Sequence, residues 1–332
     1  MQRLLLALTA LLSATSFAQY TPAAGQNTPA AAYIQTVDRE TGKVELRRDE
    51  KQPVNKDTHG NARGNQYDLA VDGAFDGQTV LIINQVGYGL GNMRASLKEK
   101  GLSSVMLAGP PSAAELKKAL AKSCQLWLLA NSGPSLTPEH LAIIKEFFDA
   151  GHGVYIWGDN DPYYVDANRL ASTLIPGLRM EGNLYGNNTV NIADGKGAKV
   201  GLRAGHLITT GLEHLYEGIT IATIQFSKPD GRNAALYDGK DGSAPAPLPT
   251  EREDKSTRAP TLPEGFTPLL YGSAGNLVTV AYEREGKRLV MDGGFTRLEV
   301  SWDEAGTARY VKNAAAWLVN AERFKETVAS KR

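Results

Sequence analysis

Apolar positions in this chain fall into two kinds of run. The first is continuous and short: Thr79–Ile83, Ser104–Leu107, Gln125–Ala130 and Val154–Trp157, each bounded by turn residues. Runs of that length read as strands buried on both faces. The second kind recurs at helical spacing. Asn92–Lys100 reads as a helix closed by Gly101, and Ser112 with Glu115 forms a capping box ahead of a helix to about Lys122. Thr137-Pro138-Glu139 opens a helix with Leu141, Ile144 and Phe148 on one face, ending at Gly151. Asp161-Pro162 has the pattern of an N-cap followed by proline at the first helical position, with a helix to about Leu174. Strand and helix therefore alternate over residues 78–174. The expected fold is α/β, a flavodoxin-like three-layer sandwich around a mostly parallel sheet with right-handed crossovers.

The second half predicts extra β-strands. Thr189–Ile192, Ile219–Phe226, Ala234–Tyr237, Leu269–Tyr271, Leu277–Tyr282 and Arg288–Met291 all have strand character. His206–Leu212 reads as a turn with a short helix, and a last helix is expected over 307–324 with Val311, Ala315 and Leu318 on one face. Residues 239–263 hold many prolines and charges and read as a mobile insertion in the domain at 73–325.

The N-terminus changes the compartment. Met1-Gln2-Arg3, the apolar run Leu4–Leu12 and Ser16-Phe17-Ala18 have the pattern of a signal peptide cut after Ala18. The expectation is a secreted or periplasmic protein with no integral membrane segment after cleavage. Residues 19–72 read as a flexible linker and extended arm, with a hairpin of Tyr33–Val37 and Lys43–Leu46 and a loop over 47–66 that could wrap the domain. Basic and acidic residues balance at 36 each, which leaves no basic surface for nucleic acid. The single cysteine, Cys124, excludes an internal disulfide.

The helix Glu139–Gly153, the segment His206–Leu212, the closing pattern Gly286–Asp292 and the helix Asn313–Leu318 resemble the class I glutamine amidotransferase-like superfamily, in particular trehalose-utilisation-type domains. The resemblance spans about 78–322 and implies the flavodoxin-like fold. Catalytic members carry a cysteine in a tight strand-to-helix turn, with histidine and glutamate later. Here that turn reads Gly158-Asp159-Asn160-Asp161, and Asp292-Gly293-Gly294-Phe295 stands where a histidine motif would follow. The resemblance therefore implies the fold without the Cys-His-Glu chemistry.

A parallel sheet gathers its strand C-termini on one rim, where ligands bind in such folds. The rim residues expected to bind are Asn84, Gln85, Asn131, Ser132, Asp159, Asn160, Asp161 and Tyr163. Asp159 and Asp161 are also hard oxygen donors suited to a divalent cation, and both suit turns and caps. Tyr163, Tyr164 and Trp157 beside acids and amides suit sugars or peptides, or plain packing. Gly87–Asn92 resembles a nucleotide-binding turn but lacks its last glycine, so no cofactor is expected. His206 and His214 do not complete a zinc pattern. The leading expectation is a non-catalytic domain that binds a polar ligand or an envelope protein. The alternatives are a glycan hydrolase using Asp159 or Asp161 with Asp292 as acid and base, and a structural envelope protein assembled through the arm.

Overall fold

A computed structural model of the chain describes residues 30–37, 44–54, 56–193, 200–226, 262–302 and 305–320. The expected signal sequence, the strand expected at Ala234–Tyr237, nearly all of the expected 239–263 insertion and the end of the last expected helix lie outside the described residues.

The chain begins with a hairpin, β1 (Ala30–Val37) and β2 (Val44–Val54), whose strands pair antiparallel. β2 runs eight residues past Leu46, into the stretch expected to be loop. Then come β3 (Thr79–Asn84), α1 (Gly91–Glu99), β4 (Ser103–Leu107), α2 (Ala113–Leu120), β5 (Gln125–Leu129), α3 (Pro138–Asp149), β6 (Gly153–Trp157) and α4 (Val165–Leu174). The second half adds β7 (Leu178–Tyr185), β8 (Thr189–Asn191), β9 (Gly201–Leu202), β10 (His214–Tyr216), β11 (Thr220–Phe226), β12 (Phe266–Tyr271), β13 (Leu277–Arg284) and β14 (Lys287–Asp292). The last described helix, α5, spans Thr307–Leu318.

Eight strands form one sheet in the order β4-β3-β5-β6-β14-β13-β12-β9. β4, β3, β5, β6 and β14 run parallel, and β13, β12 and β9 continue antiparallel. Numbered along the chain, the parallel part reads 2-1-3-4-5, the flavodoxin-like order. Alternation within each buried strand feeds two cores. Val80, Ile82, Tyr155 and Trp157 face α1 and α5, whereas Leu81, Ile83, Val154 and Ile156 face α2, α3 and α4. This is the three-layer α/β sandwich expected from the pattern of runs.

The helix caps follow the sequence. Ser112 and Glu115 close a capping box at α2, and Thr137 accepts the His140 amide ahead of Pro138 in α3. The start of α4 differs. It begins at Val165 after an N-cap at Tyr164, so Asp161 and Pro162 do not open it. Instead the Asp161 amide donates to Gly182 O at 3.0 Å, and Tyr163 N donates to Asn160 O at 2.8 Å. The reason is β7, a strand that the chain's pattern does not announce. β7 pairs with β11 as a separate ribbon laid over the β6–α4 turn. Asn168 on α4 binds Met180 of β7 twice, donating to its carbonyl at 2.8 Å and accepting its amide at 2.6 Å. A Cβ on Gly158 would lie 2.6 Å from Met180 Sδ and 3.1 Å from Tyr164 Cβ, so a side chain here would force Met180 of the ribbon to move.

Residues 56–72 lie against the sandwich. Asp68, 2 % exposed, meets Lys100 at 2.9 Å, Lys312 at 2.8 Å and Arg309 at 3.0 Å. Upstream, Asp57 Oδ1 lies 3.0 Å from His214 Nε2 and accepts the amides of His59, Gly60 and Asn61. Asn61 in turn accepts the amides of Glu213 and His214.

Candidate functional site

The rim residues separate into two groups. The first sits in the crevice between β3 and β5, where the strand order reverses. Asn84 donates to Tyr88 O at 2.7 Å and accepts the Gly87 amide, which shapes the loop after β3. Gln85 Oε1 accepts the Asn131 amide at 3.1 Å, and Asn131 Nδ2 returns a bond to Gln85 O at 3.0 Å. Ser132 N donates to Asn131 Oδ1. Gln85 Nε2 donates to Asp166, which also accepts the Ser135 and Leu136 amides and pairs with Arg169 at 2.8 Å. The crevice is thus braced by the protein's own polar groups. Asp166 was not among the expected residues; its signal was an acid in the first turn of a helix.

The second group lies beyond β6 and β14. Gly158 N donates to Asp292 O and Phe295 N donates to Gly158 O, so the two strand ends stay paired past their last residues. Asp292 is fully buried. It pairs with Arg297 at 3.1 Å, accepts the Gly294 amide, and lies 3.2 Å and 3.4 Å from the Tyr310 and Tyr155 hydroxyls. Burial raises its pKa against the pull of Arg297. Arg297 is itself buried and reaches Glu217 O and Gly294 O. Asp292 therefore points into the core and cannot meet a substrate as the second carboxylate of an acid/base pair, because its partners enclose it.

Asp159 is a second buried acid here, 1 % exposed. Oδ1 accepts the Asn160 amide at 2.7 Å, and Oδ2 has no partner at hydrogen-bonding length. Burial pushes its pKa up to about 7; Thr220 and Thr296 lie close enough to favour the charged form without completing a bond. Asn160 bridges to Asn183 of β7 at 2.8 Å and to Asp161 O. Asp161 is 7 % exposed under the same ribbon. Among the described residues no three histidines, cysteines, aspartates or glutamates are placed to hold a metal ion, so Asp159 and Asp161 are not joined by a third ligand.

Tyr163 is 41 % exposed at the edge of this group. It and Tyr88 both stand nearly perpendicular to Phe295, Tyr163 at 77° and 6.3 Å between centroids and Tyr88 at 86° and 5.6 Å. Burial and then the charges of Asp159 and Glu299 raise the Tyr88 pKa, with Tyr163 adding to them. Exposed Glu299 accepts the Leu90 amide at 3.4 Å, at the N-terminus of α1. On the far side, Tyr216 is pushed up to about 12 by burial, Glu217 and Asp159 among others, and its hydroxyl donates to Asn187 at 2.8 Å. Tyr88, Phe295 and Glu299 come from two distant turns. Only their glycine-rich surroundings marked them in the sequence.

Cys124 lies just before β5, at the end of the strand opposite the rim, and is buried. No family model matches the chain, and no curated protein matches it by sequence. Among solved structures, a protein assigned as a component of GMP synthase from Thermoplasma acidophilum aligns with TM-score 0.40 and 10% identity, covering 76% of this chain and 99% of that one. The exo-β-1,4-mannosidase Op5Man5 from Opitutaceae bacterium strain TAV5 aligns with TM-score 0.33 and 10% identity over 73% of this chain and 35% of its own. At these scores neither carries an argument about this chain, and the fold rests on its own strand order. Among the described residues no helix is long and apolar enough to cross a membrane.

Proposed function

We propose that the protein is an exported amidotransferase-like domain that binds a small polar ligand at the C-terminal rim of its parallel sheet, without amidotransferase chemistry. The observation that carries this reading is Asp159, a buried carboxyl with one oxygen unpartnered, held beside Tyr88 and an exposed Tyr163. Buried polar atoms in folded proteins find partners, and one left open at a rim invites a ligand. Cys124 supports the non-amidotransferase part, because it is remote from the rim turn. A thermal-shift screen against sugars, amino acids, amines, nucleotides and divalent cations tests the reading. A stabilising compound whose effect disappears in Tyr163→Ala supports the rim; full stabilisation of that variant moves the site elsewhere.

One observation favours a second reading, assembly through the N-terminal arm. Among the described residues, β1 and β2 form a sheet only with each other, and a lone hairpin is marginal in water. Sedimentation with and without residues 1–54 decides: loss of a complex on deletion supports it, an unchanged monomer opposes it.

A further inference from the structure

We propose that the N-terminal hairpin of one copy adds to the free edge of β4 in a second copy, β1 against β4, and extends that copy's sheet by two strands; this rests on the reading that the arm mediates assembly. The eight-stranded sheet has two ends. At one end β9 is two residues long, and Ile192 bridges it at Leu202. At the other, β4 has β3 as its one strand neighbour among the described residues. None of the residues of β4 is buried, and Val105 is 46 % exposed. Soluble proteins blunt such edges with charges, prolines or bulges, because unpaired amides and carbonyls template another strand. β4 reads Ser-Ser-Val-Met-Leu and pairs with β3 without a register shift, so it carries none of these devices. Arg94 Nε donates to the Ser104 hydroxyl at 3.1 Å, a bond to a side chain and not to the strand's backbone.

The hairpin supplies a matching edge. β1 reads Ala-Ala-Ala-Tyr-Ile-Gln-Thr-Val, again without charge or proline. β2 holds Glu45, Arg47, Arg48, Asp49, Glu50, Lys51 and Pro53, the composition of an edge kept for water. Docking through β1 therefore leaves the guarded strand outside, where it ends the sheet. Strand addition of this kind draws its affinity from main-chain bonds. It also supplies what the hairpin lacks, since independent stability needs three or more strands. Within one chain the two edges stay apart. Asp57, three residues past β2, is pinned to His214 of β10 at 3.0 Å, and β1 runs beside Asn65–Tyr67. The hairpin is thus held along its own arm, and β4 of a second copy is the edge open to it. Each copy has one donor and one acceptor edge, so two copies can exchange hairpins and close. Pairing of β4 with β4 would leave β1 without a partner.

Two full-length variants separate acceptor from donor. Val105→Lys, at an exposed position, sets a charge in the middle of β4. Ile34→Pro with Gln35→Pro removes two successive amides of β1, one of which faces the outer edge because successive amides point to opposite sides of a strand. Sedimentation should show the parent as a complex of at least two copies, and each variant alone associating at least about tenfold more weakly. Cooperative thermal unfolding of both variants checks that the sandwich is intact. Mixing the two should restore a one-to-one complex, with the hairpin of the Val105→Lys chain on β4 of the proline variant. A complex that survives Val105→Lys but not the prolines would overturn β4 as the receptor and keep the arm as the assembly element. A complex that survives the prolines would overturn the hairpin as donor. Variants that stay monomeric when mixed would overturn the pairing of β1 with β4. A parent that is monomeric at every concentration would overturn this pairing and assembly through the arm together.

Discussion

Asp159 and Asp292 sit side by side at two strand ends, both buried, and what faces each decides its role. Asp292 has Arg297, two tyrosine hydroxyls and an amide around it. Removing one member of such a pair leaves the other buried alone, so Arg297→Met should cost about 3–5 kcal/mol in urea denaturation. Asp159 lacks a cation. Burial raises it from 3.8 to about 7. The sign follows from that increase: between those values the folded state keeps a proton that the unfolded chain has released, so stability falls as pH rises towards 7 and levels off above. Asp159→Asn keeps the shape and removes the charge. Its gain over the parent should be near zero at about pH 4 and grow to roughly 4 kcal/mol by about pH 8, read by denaturation at both. An equal gain at both would show that the buried charge is not the cause. The sequence showed the acids of this turn but not their difference, because that depends on Arg297, Thr220 and Thr296, remote along the chain.

Among the elements, the parallel strands and their helices were legible because each strand is a continuous apolar run between turn residues. The ribbon was not. β7 reads Leu-Arg-Met-Glu-Gly-Asn-Leu-Tyr, with a glycine at positive φ and a mixed burial pattern, so no period stands out. Yet this strand roofs the β6–α4 turn through Gly182 and Asn183, and Asp159 and Asp161 of that turn are buried. Missing it is why Asp161-Pro162 read as a helix start, when tertiary bonds to Gly182 place it in a turn. Asn168 is the rivet between α4 and the ribbon. Asn168→Ala strands the amide and carbonyl of Met180, each worth about 1–3 kcal/mol when buried. The expected loss is about 3 kcal/mol, with faster hydrogen exchange in β7. By contrast Ser112→Ala, at an exposed cap, should cost only about 1 kcal/mol of thermal stability.

At the scale of the molecule, the stretch 47–66 carries almost no apolar residues, so its composition suggested a loop that could wrap the domain, and 56–72 does lie against it. It is held by charge and hydrogen bonds instead. Asp68 answers Lys100, Lys312 and Arg309, and Leu69 N donates to Asn313 Oδ1. Removal of residues 1–54 should leave the melting temperature of the sandwich nearly unchanged. Removal through residue 72 should lower stability by more than about 3 kcal/mol, since Lys100 and Lys312 would lose buried partners. Similar melting of the two truncations would make the arm dispensable.

That clasp joins positions 244 residues apart, and β14, the middle of the finished sheet, is also among the last strands made. On the ribosome, β6 stays an open edge until β14 emerges, and the arm, which can already reach Lys100 and His214, lacks Arg309, Lys312 and Asn313 until α5 follows. A growing chain therefore cannot reach its final form until β14 and α5 have been made. Any premature stop before α5 would yield not a smaller version of the protein but a chain with an unclosed sheet and a loose arm, fit for proteases.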